Sequence, residues 1–180
     1  MAKKNTHYSY GSISKFLHWI IFILIFGMII YGFVLDDFPK AWKPVGYNIH
    51  KIIGLTIFVL MVLRLIWTLM NPKPKLPGSI PLWQIAVERL VHFGFYVVLL
   101  AMPIVGWVMA TAAGKPPKLF GYSLNLPIDP DKVLARQMSF THTILAYVII
   151  AMVLLHVGAA LKHHFVNKDN VLRRMMPGKN

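Results

Sequence analysis

Hydrophobic positions along this chain do not alternate with polar ones; they run on for longer than one buried face requires. Four such runs cover residues of about 13–35, 47–70, 82–112 and 139–165. Each exceeds the roughly 20 apolar residues that carry a helix across a bilayer. The first is predicted to open at Ser12 or Ser14 as an N-cap and to end at Asp36, Asp37 and Pro39. The second stops at Asn71-Pro72-Lys73-Pro74, and Pro103 is predicted to kink the third. A polar connection follows from Gly114 to Arg136, and a basic tail from Val166 to Asn180 closes the chain. No internal repeat is visible. The pattern predicts an all-α fold, an integral membrane four-helix bundle forming a single domain over residues 1–180, with termini 1–12 and 166–180 outside the spans.

Composition agrees with that pattern. Of 180 residues, 57% are hydrophobic and only 14% charged, too thin a polar coat for a soluble domain. The net charge of +13 is not read as a nucleic-acid signal, because most of the basic residues lie between and beyond the apolar runs. There they act as topology signals and contacts for anionic lipid in the bilayer. Lys3, Lys4, Lys15, Lys73, Lys75, Lys162, Lys168, Arg173, Arg174 and Lys179 fall on one side; Lys40, Lys43, Lys115, Lys118, Lys132 and Arg136 on the other. The bias predicts both termini in the cytoplasm. The polar stretch before the first run lacks the pattern of a cleaved signal, so that run is expected to be retained. There is no cysteine, which excludes disulfides, thiolate-held clusters and covalent c-type haem.

Five histidines lie inside the runs: His18, His50, His92, His142 and His156. A single one would be read as interhelical glue; five at matched depths point to a shared task. His142 and His156 are fourteen residues apart, which on a helix returns to within about 40° of one face some 21 Å further along. His18 matches the depth of His156, and His50 that of His142. Two bis-histidine levels suit two flat, hydrophobic haems b with imidazoles as axial ligands; a histidine-only metal site would need three or four nitrogens at one point. The metal ligands are therefore expected to be His18 with His156 and His50 with His142.

Arg64 lies fourteen residues after His50, at the His18–His156 level, where a haem propionate would pair with it; snorkelling to the interface is the plain alternative. His92 falls at the same level and could bond a propionate, serve as a ligand or pair with Glu88. His163 is placed to relay protons at a quinone pocket, or to act as an interfacial anchor beside His164 and Lys162. Trp19, Trp42, Trp67, Trp83 and Trp107 read as interfacial aromatics, and Gly27, Gly54, Gly94 and Gly106 as packing positions.

The segments S-K-F-L-H-W at Ser14–Trp19, N-I-H-K-I-I-G at Asn48–Gly54, V-L-R-L at Val62–Leu65, L-V-H-F-G-F-Y at Leu90–Tyr96 and T-H-T-I-L-A at Thr141–Ala146 resemble the bacterial cytochrome b561 family. So does the ending, L-H-V-G-A-A-L-K-H-H-F followed by K-D-N-V-L-R-R-M-M-P. The likeness spans essentially the whole chain and departs from the family in the first and third loops. It implies a diheme, quinone-linked oxidoreductase of the bacterial inner membrane, of the type that oxidises periplasmic superoxide and reduces ubiquinone. It carries over the same ligand pairs and puts a quinone site near His163. A basic collar that includes Lys51, Lys115 and Lys118 would steer superoxide to the outer level; anionic lipid is its alternative partner. A cytochrome b subunit passing electrons from a periplasmic dehydrogenase or hydrogenase to quinone is the alternative function. The short loops favour a self-contained protein without a protein partner.

Overall fold

The computed structural model describes residues 3–7, 9–75 and 80–178; Lys179, one of the basic tail residues, lies outside them. Four helices follow in order: α1 Ser12–Val34, α2 Lys43–Leu69, α3 Leu82–Ala112 and α4 Lys132–Lys162. At 1.5 Å per residue even the shortest spans about 35 Å, more than the hydrocarbon core of a bilayer. All four are apolar enough to cross one. Their outer faces carry large exposed apolar side chains such as Phe16, Ile23, Phe26 and Leu155, as expected where lipid is the solvent.

Helix ends depart from the expectations in instructive ways. Neither Ser12 nor Ser14 caps α1. Its N-cap is Gly11, whose backbone N–H donates to Asn5 Oδ1 at 2.9 Å, while Ser14 Oγ bonds the same oxygen at 2.6 Å and accepts from Trp67 Nε1 at 3.0 Å. The polar N-terminus thus folds back onto the start of α1 through Asn5, and neither serine supplies a side-chain cap. Helix α2 begins at Lys43, ahead of the apolar run, because Pro44 suits a first turn. Helix α4 begins at Lys132, since Asp131 accepts from the N–H groups of Val133 and Leu134 at 2.7 and 3.1 Å.

The third loop is built rather than loose. Strands β1 Lys118–Leu119 and β2 Tyr122–Ser123 pair antiparallel across Phe120 and Gly121. Asn48 of α2 holds this hairpin from both directions, donating to the Lys118 carbonyl and accepting from its N–H, each at 2.8 Å. Trp107 Nε1 donates to the Leu124 carbonyl at 2.7 Å and fixes the far side. At the other end of the bundle the tail folds across the helix ends. There Trp19 Nε1 donates to the Met175 carbonyl at 2.8 Å, and Arg174 to the Lys75 carbonyl at 2.7 Å.

Sequential helices pack on one another, α1 on α2, α2 on α3 and α3 on α4. The tightest core, Ile21, Ile57, Met61, Leu99 and Ile149, sits midway along the bundle. Ile57 is seven residues from His50, and Ile149 is seven from both His142 and His156. The apolar plug therefore separates two polar levels, one at the tail end and one at the hairpin end.

Candidate functional site

Helical phase brings the span histidines together in pairs. His18 of α1 and His156 of α4 have ring centres 6.2 Å apart with planes at 61°. His50 of α2 and His142 of α4 repeat both values, 6.2 Å and 61°, at the opposite end. Two imidazoles on opposite sides of one metal, with metal–nitrogen bonds of about 2 Å, hold their ring centres about 6 Å apart. The spacing is too wide for a hydrogen bond between rings and suits an atom between them. Among the described residues no three or more His, Asp or Glu side chains converge on a single ion, so a closed protein-only metal cage is absent.

The tail-end pair opens into a cavity of about 670 Å³, counted to its open side and lined chiefly by apolar side chains such as Ile21, Met61 and Phe95. Arg64 also lines it. Its Nη2 lies 3.1 Å from His18 Nδ1. A guanidinium has no acceptor, so it donates, and the neutral ring keeps its proton on Nε2. For His18 to present Nε2 to a metal, Arg64 must give up this bond. A carboxylate such as a propionate is a stronger partner for it than an imidazole. The same Arg64 that was expected to meet a propionate therefore rests on the ligand candidate itself.

His92 also lines this cavity, 5.4 Å from His156 between ring centres. Its Nδ1 meets the Glu88 carbonyl at 2.8 Å and Glu88 Oε1 at 2.7 Å. Since the carbonyl can only accept, Nδ1 carries the proton. Lys73 from the second loop bonds the same carboxylate at 3.0 Å. Of the three roles open to His92, the pairing with Glu88 is the contact present. Spacing of four residues on one helix already favoured it.

The hairpin-end pair is fitted by backbone rather than by charge. The Nδ1 atoms of His50 and His142 are buried without a hydrogen-bond partner, although the Met102 carbonyl comes close to the His142 ring. Tyr31 stacks on His50 with ring centres 6.2 Å apart, held by its hydroxyl on the Gly46 carbonyl at 3.1 Å. Gly106 lies against His142: a Cβ there would stand 3.1 Å from Cε1 and 3.3 Å from Nδ1. A Cβ on Gly32 would make only ordinary contact with His50, at 3.6 Å. Of the glycines read as packing positions, Gly106 is thus the one that makes room for a ring, whereas Gly27 and Gly54 face open space.

The remaining candidates are scattered. Lys51 is not a free collar charge: its ammonium donates to the Lys115 carbonyl at 2.8 Å and to that of Pro116 at 3.5 Å, tying the third loop to α2. Lys115 and Lys118 are exposed nearby. His163 follows the last residue of α4 and opens a π turn to Asn167. Its Nδ1 meets Asp169 Oδ2 at 2.5 Å and Asn167 Nδ2 at 3.2 Å. Asp169 and Asn167 also line an open cleft of mixed polarity against Ile80, Pro81 and Gln84 at the start of α3. Nothing in the spacing alone marked Asp169, which reaches His163 only because Lys168 turns the chain through a left-handed conformation.

These residues fit haem b at both levels. Two ring pairs have the span of axial ligands, an apolar cavity adjoins one, and two orphaned ring nitrogens and a cleared glycine mark the other. Comparison with known proteins gives the family. Residues 9–178 match the family described as prokaryotic cytochrome b561. The chain is 34% identical to cytochrome b561 homolog 2 of Escherichia coli (strain K12), over 98% of this chain and 95% of that protein. It is 31% identical to cytochrome b561 homolog 1 of the same strain, over 90% and 93%. It is 29% identical to the probable superoxide oxidase CybB of Yersinia pestis, over 96% and 98%. The chain belongs to the prokaryotic cytochrome b561 family of multi-pass, electron-transferring membrane proteins.

Proposed function

We propose that this protein carries two haems b, one between His50 and His142 and one between His18 and His156, and moves electrons between the two faces of the bacterial inner membrane. When bound, the haems supply reversible one-electron chemistry; the protein's part is to hold, orient and insulate them. The electron donor is superoxide, which loses one electron to become dioxygen at the periplasmic His50–His142 end. The acceptor is ubiquinone, which takes two electrons and two protons at the cytoplasmic His18–His156 end. Two superoxides are consumed per quinol formed. Both termini lie in the cytoplasm.

The observation that carries this reading is the repeated ring geometry, 6.2 Å and 61° at both levels. Similarity to a probable superoxide oxidase supports the choice of donor. The exposed Lys115 and Lys118 beside the hairpin end would draw a small anion inward, and Lys51 would hold the loop that presents them. At the other end Arg64 would turn from His18 to a propionate, while His163, oriented by Asp169, would hand protons to the reduced quinone. Purified protein should be red, with two haems per chain. It should be reduced by a superoxide source and reoxidised by added ubiquinone. A colourless protein from haem-replete cells would overturn the whole reading; a red protein that superoxide does not reduce would overturn the donor alone.

A further inference from the structure

The hairpin formed by β1 and β2 has a feature that electron transfer does not use. Phe120 adopts a left-handed backbone, φ 49°, followed by Gly121 at φ 85°. Glycine takes this conformation freely and a bulky residue does not. Phe120 is also 91% exposed, and Tyr122 is 78% exposed. The unfavourable conformation therefore has no return in packing within this chain. Yet the hairpin is not a slack loop, since Asn48, Lys51 and Trp107 all hold it through hydrogen bonds.

Its level and direction follow from those anchors. Helix α2 has 27 residues and is about 40 Å long, so it overhangs a 30 Å hydrocarbon core by about 5 Å at each end. Asn48 lies five residues inside its start, about 7 Å down, and Lys51 about 12 Å down. Lys118, bonded to Asn48, thus sits close to the hydrocarbon boundary. Phe120, two residues on, can be no more than about 7 Å from that level. Counting 100° per residue from His50, Lys51 is about 100° and Asn48 about 160° around the helix. The hairpin therefore sits on the flank of α2, not over the His50 ring.

We infer that this hairpin is a membrane anchor: Phe120 and Tyr122 seat at the boundary between headgroups and acyl chains, and the neighbouring Lys115 and Lys118 engage anionic headgroups where such lipid is present and stay open to a soluble anion where it is not. Aromatic rings favour that zone, and the paired lysines complement its charge. The anchor would fix the loop that carries the collar at one height above the hairpin-end histidines.

The chain has no cysteine, so Phe120→Cys and Tyr122→Cys each create a unique labelling position. Asp129→Cys, on an exposed residue of the same loop, supplies a reference. Each variant, purified with full haem content, is spin-labelled and reconstituted in phosphatidylcholine vesicles with and without phosphatidylglycerol. Relaxation by oxygen, which concentrates in lipid, is compared with relaxation by a water-soluble nickel chelate. Labels at 120 and 122 should favour oxygen and the label at 129 the chelate, with the contrast growing with phosphatidylglycerol. Lys115→Gln with Lys118→Gln should abolish that growth. Chelate access at 120 and 122 equal to that at 129 would overturn the inference. Shielding from both agents would assign the tip to a protein contact and overturn it equally. Because the readout is depth and not electron transfer, it stands apart from the proposed donor and acceptor.

Discussion

Gly106 offers a sharp test of the hairpin-end pair, because it contributes nothing but space. In Gly106→Ala the new Cβ would stand 3.1 Å from His142 Cε1. Carbon atoms in contact ordinarily keep about 3.5–4.0 Å, so the ring must retreat by about half an ångström. Ligand positions in metal sites tolerate only about 0.2 Å. The expected result is a tenfold to hundredfold weaker hold on one haem, about 1.4 to 2.7 kcal/mol, with the other unaffected. Gly94→Ala is the matched control. Its Cβ would come within 2.9 Å of Met152 Cε, the free end of a flexible side chain that can swing aside. Gly54→Ala, with no atom within 4 Å, is the second control. Haem per chain, measured as the pyridine haemochrome after purification and again during titration of haem into haem-depleted protein, should approach one for Gly106→Ala and two for both controls. Two haems held with unchanged affinity, or loss of both together, would refute the reasoning.

Other expectations follow from the same geometry. His142→Ala should remove one haem and leave the His18–His156 site filled; removal of both, or of neither, would break the pairing. Asp169→Asn should slow reoxidation by ubiquinone severalfold while haem content and reduction by superoxide stay unchanged, because it frees His163 to turn without touching either ring pair. Replacing Lys115, Lys118 and Lys132 with Gln should lower the second-order rate with superoxide and flatten its dependence on ionic strength. Equal salt dependence before and after would end the steering idea.

Much of this architecture is legible in the pattern of the chain. Uninterrupted apolar runs have one stable form in lipid, the helix, since every backbone group must be satisfied within the segment. Once those helices are granted, the fourteen residues between His142 and His156 place two rings on one face, and depth alone selects which ring each can meet. Less local features stayed hidden. The start of α1 is met by Asn5 from a polar stretch that nothing in the apolar pattern describes. The hairpin depends on Asn48 meeting Lys118, seventy residues away. Lys51 was countable as a charge, but only packing reveals that its ammonium is spent on carbonyls. Asp169 reaches His163 through a left-handed residue, Lys168, that carries no marker such as glycine. In each case the missing information is a tertiary contact between segments whose local preferences are neutral.

Arg64 carries the argument one step further, to the direction of electron flow. The two ring pairs match in spacing and angle, so their difference must come from what surrounds them. At the tail end a guanidinium lines the cavity within 3.1 Å of His18. At the hairpin end the nearby cations, Lys115 and Lys118, are exposed and open to screening by salt. A unit charge about 10 Å away at an effective dielectric constant near 20 favours an added electron by about 1.7 kcal/mol, or about 70 mV for a one-electron couple. The same charge in water contributes about a quarter of that. The tail end should therefore hold the higher potential, and electrons entering at the hairpin end run downhill to it. Arg64→Gln tests this in a redox titration of the purified protein: the higher of the two midpoint potentials should fall by several tens of millivolts, and the lower should stay. Arg64→Lys, which keeps the charge, should restore most of the shift. A fall in the lower potential would reverse the assigned direction, and an equal fall in Arg64→Lys would show that packing around His18, not charge, sets the difference.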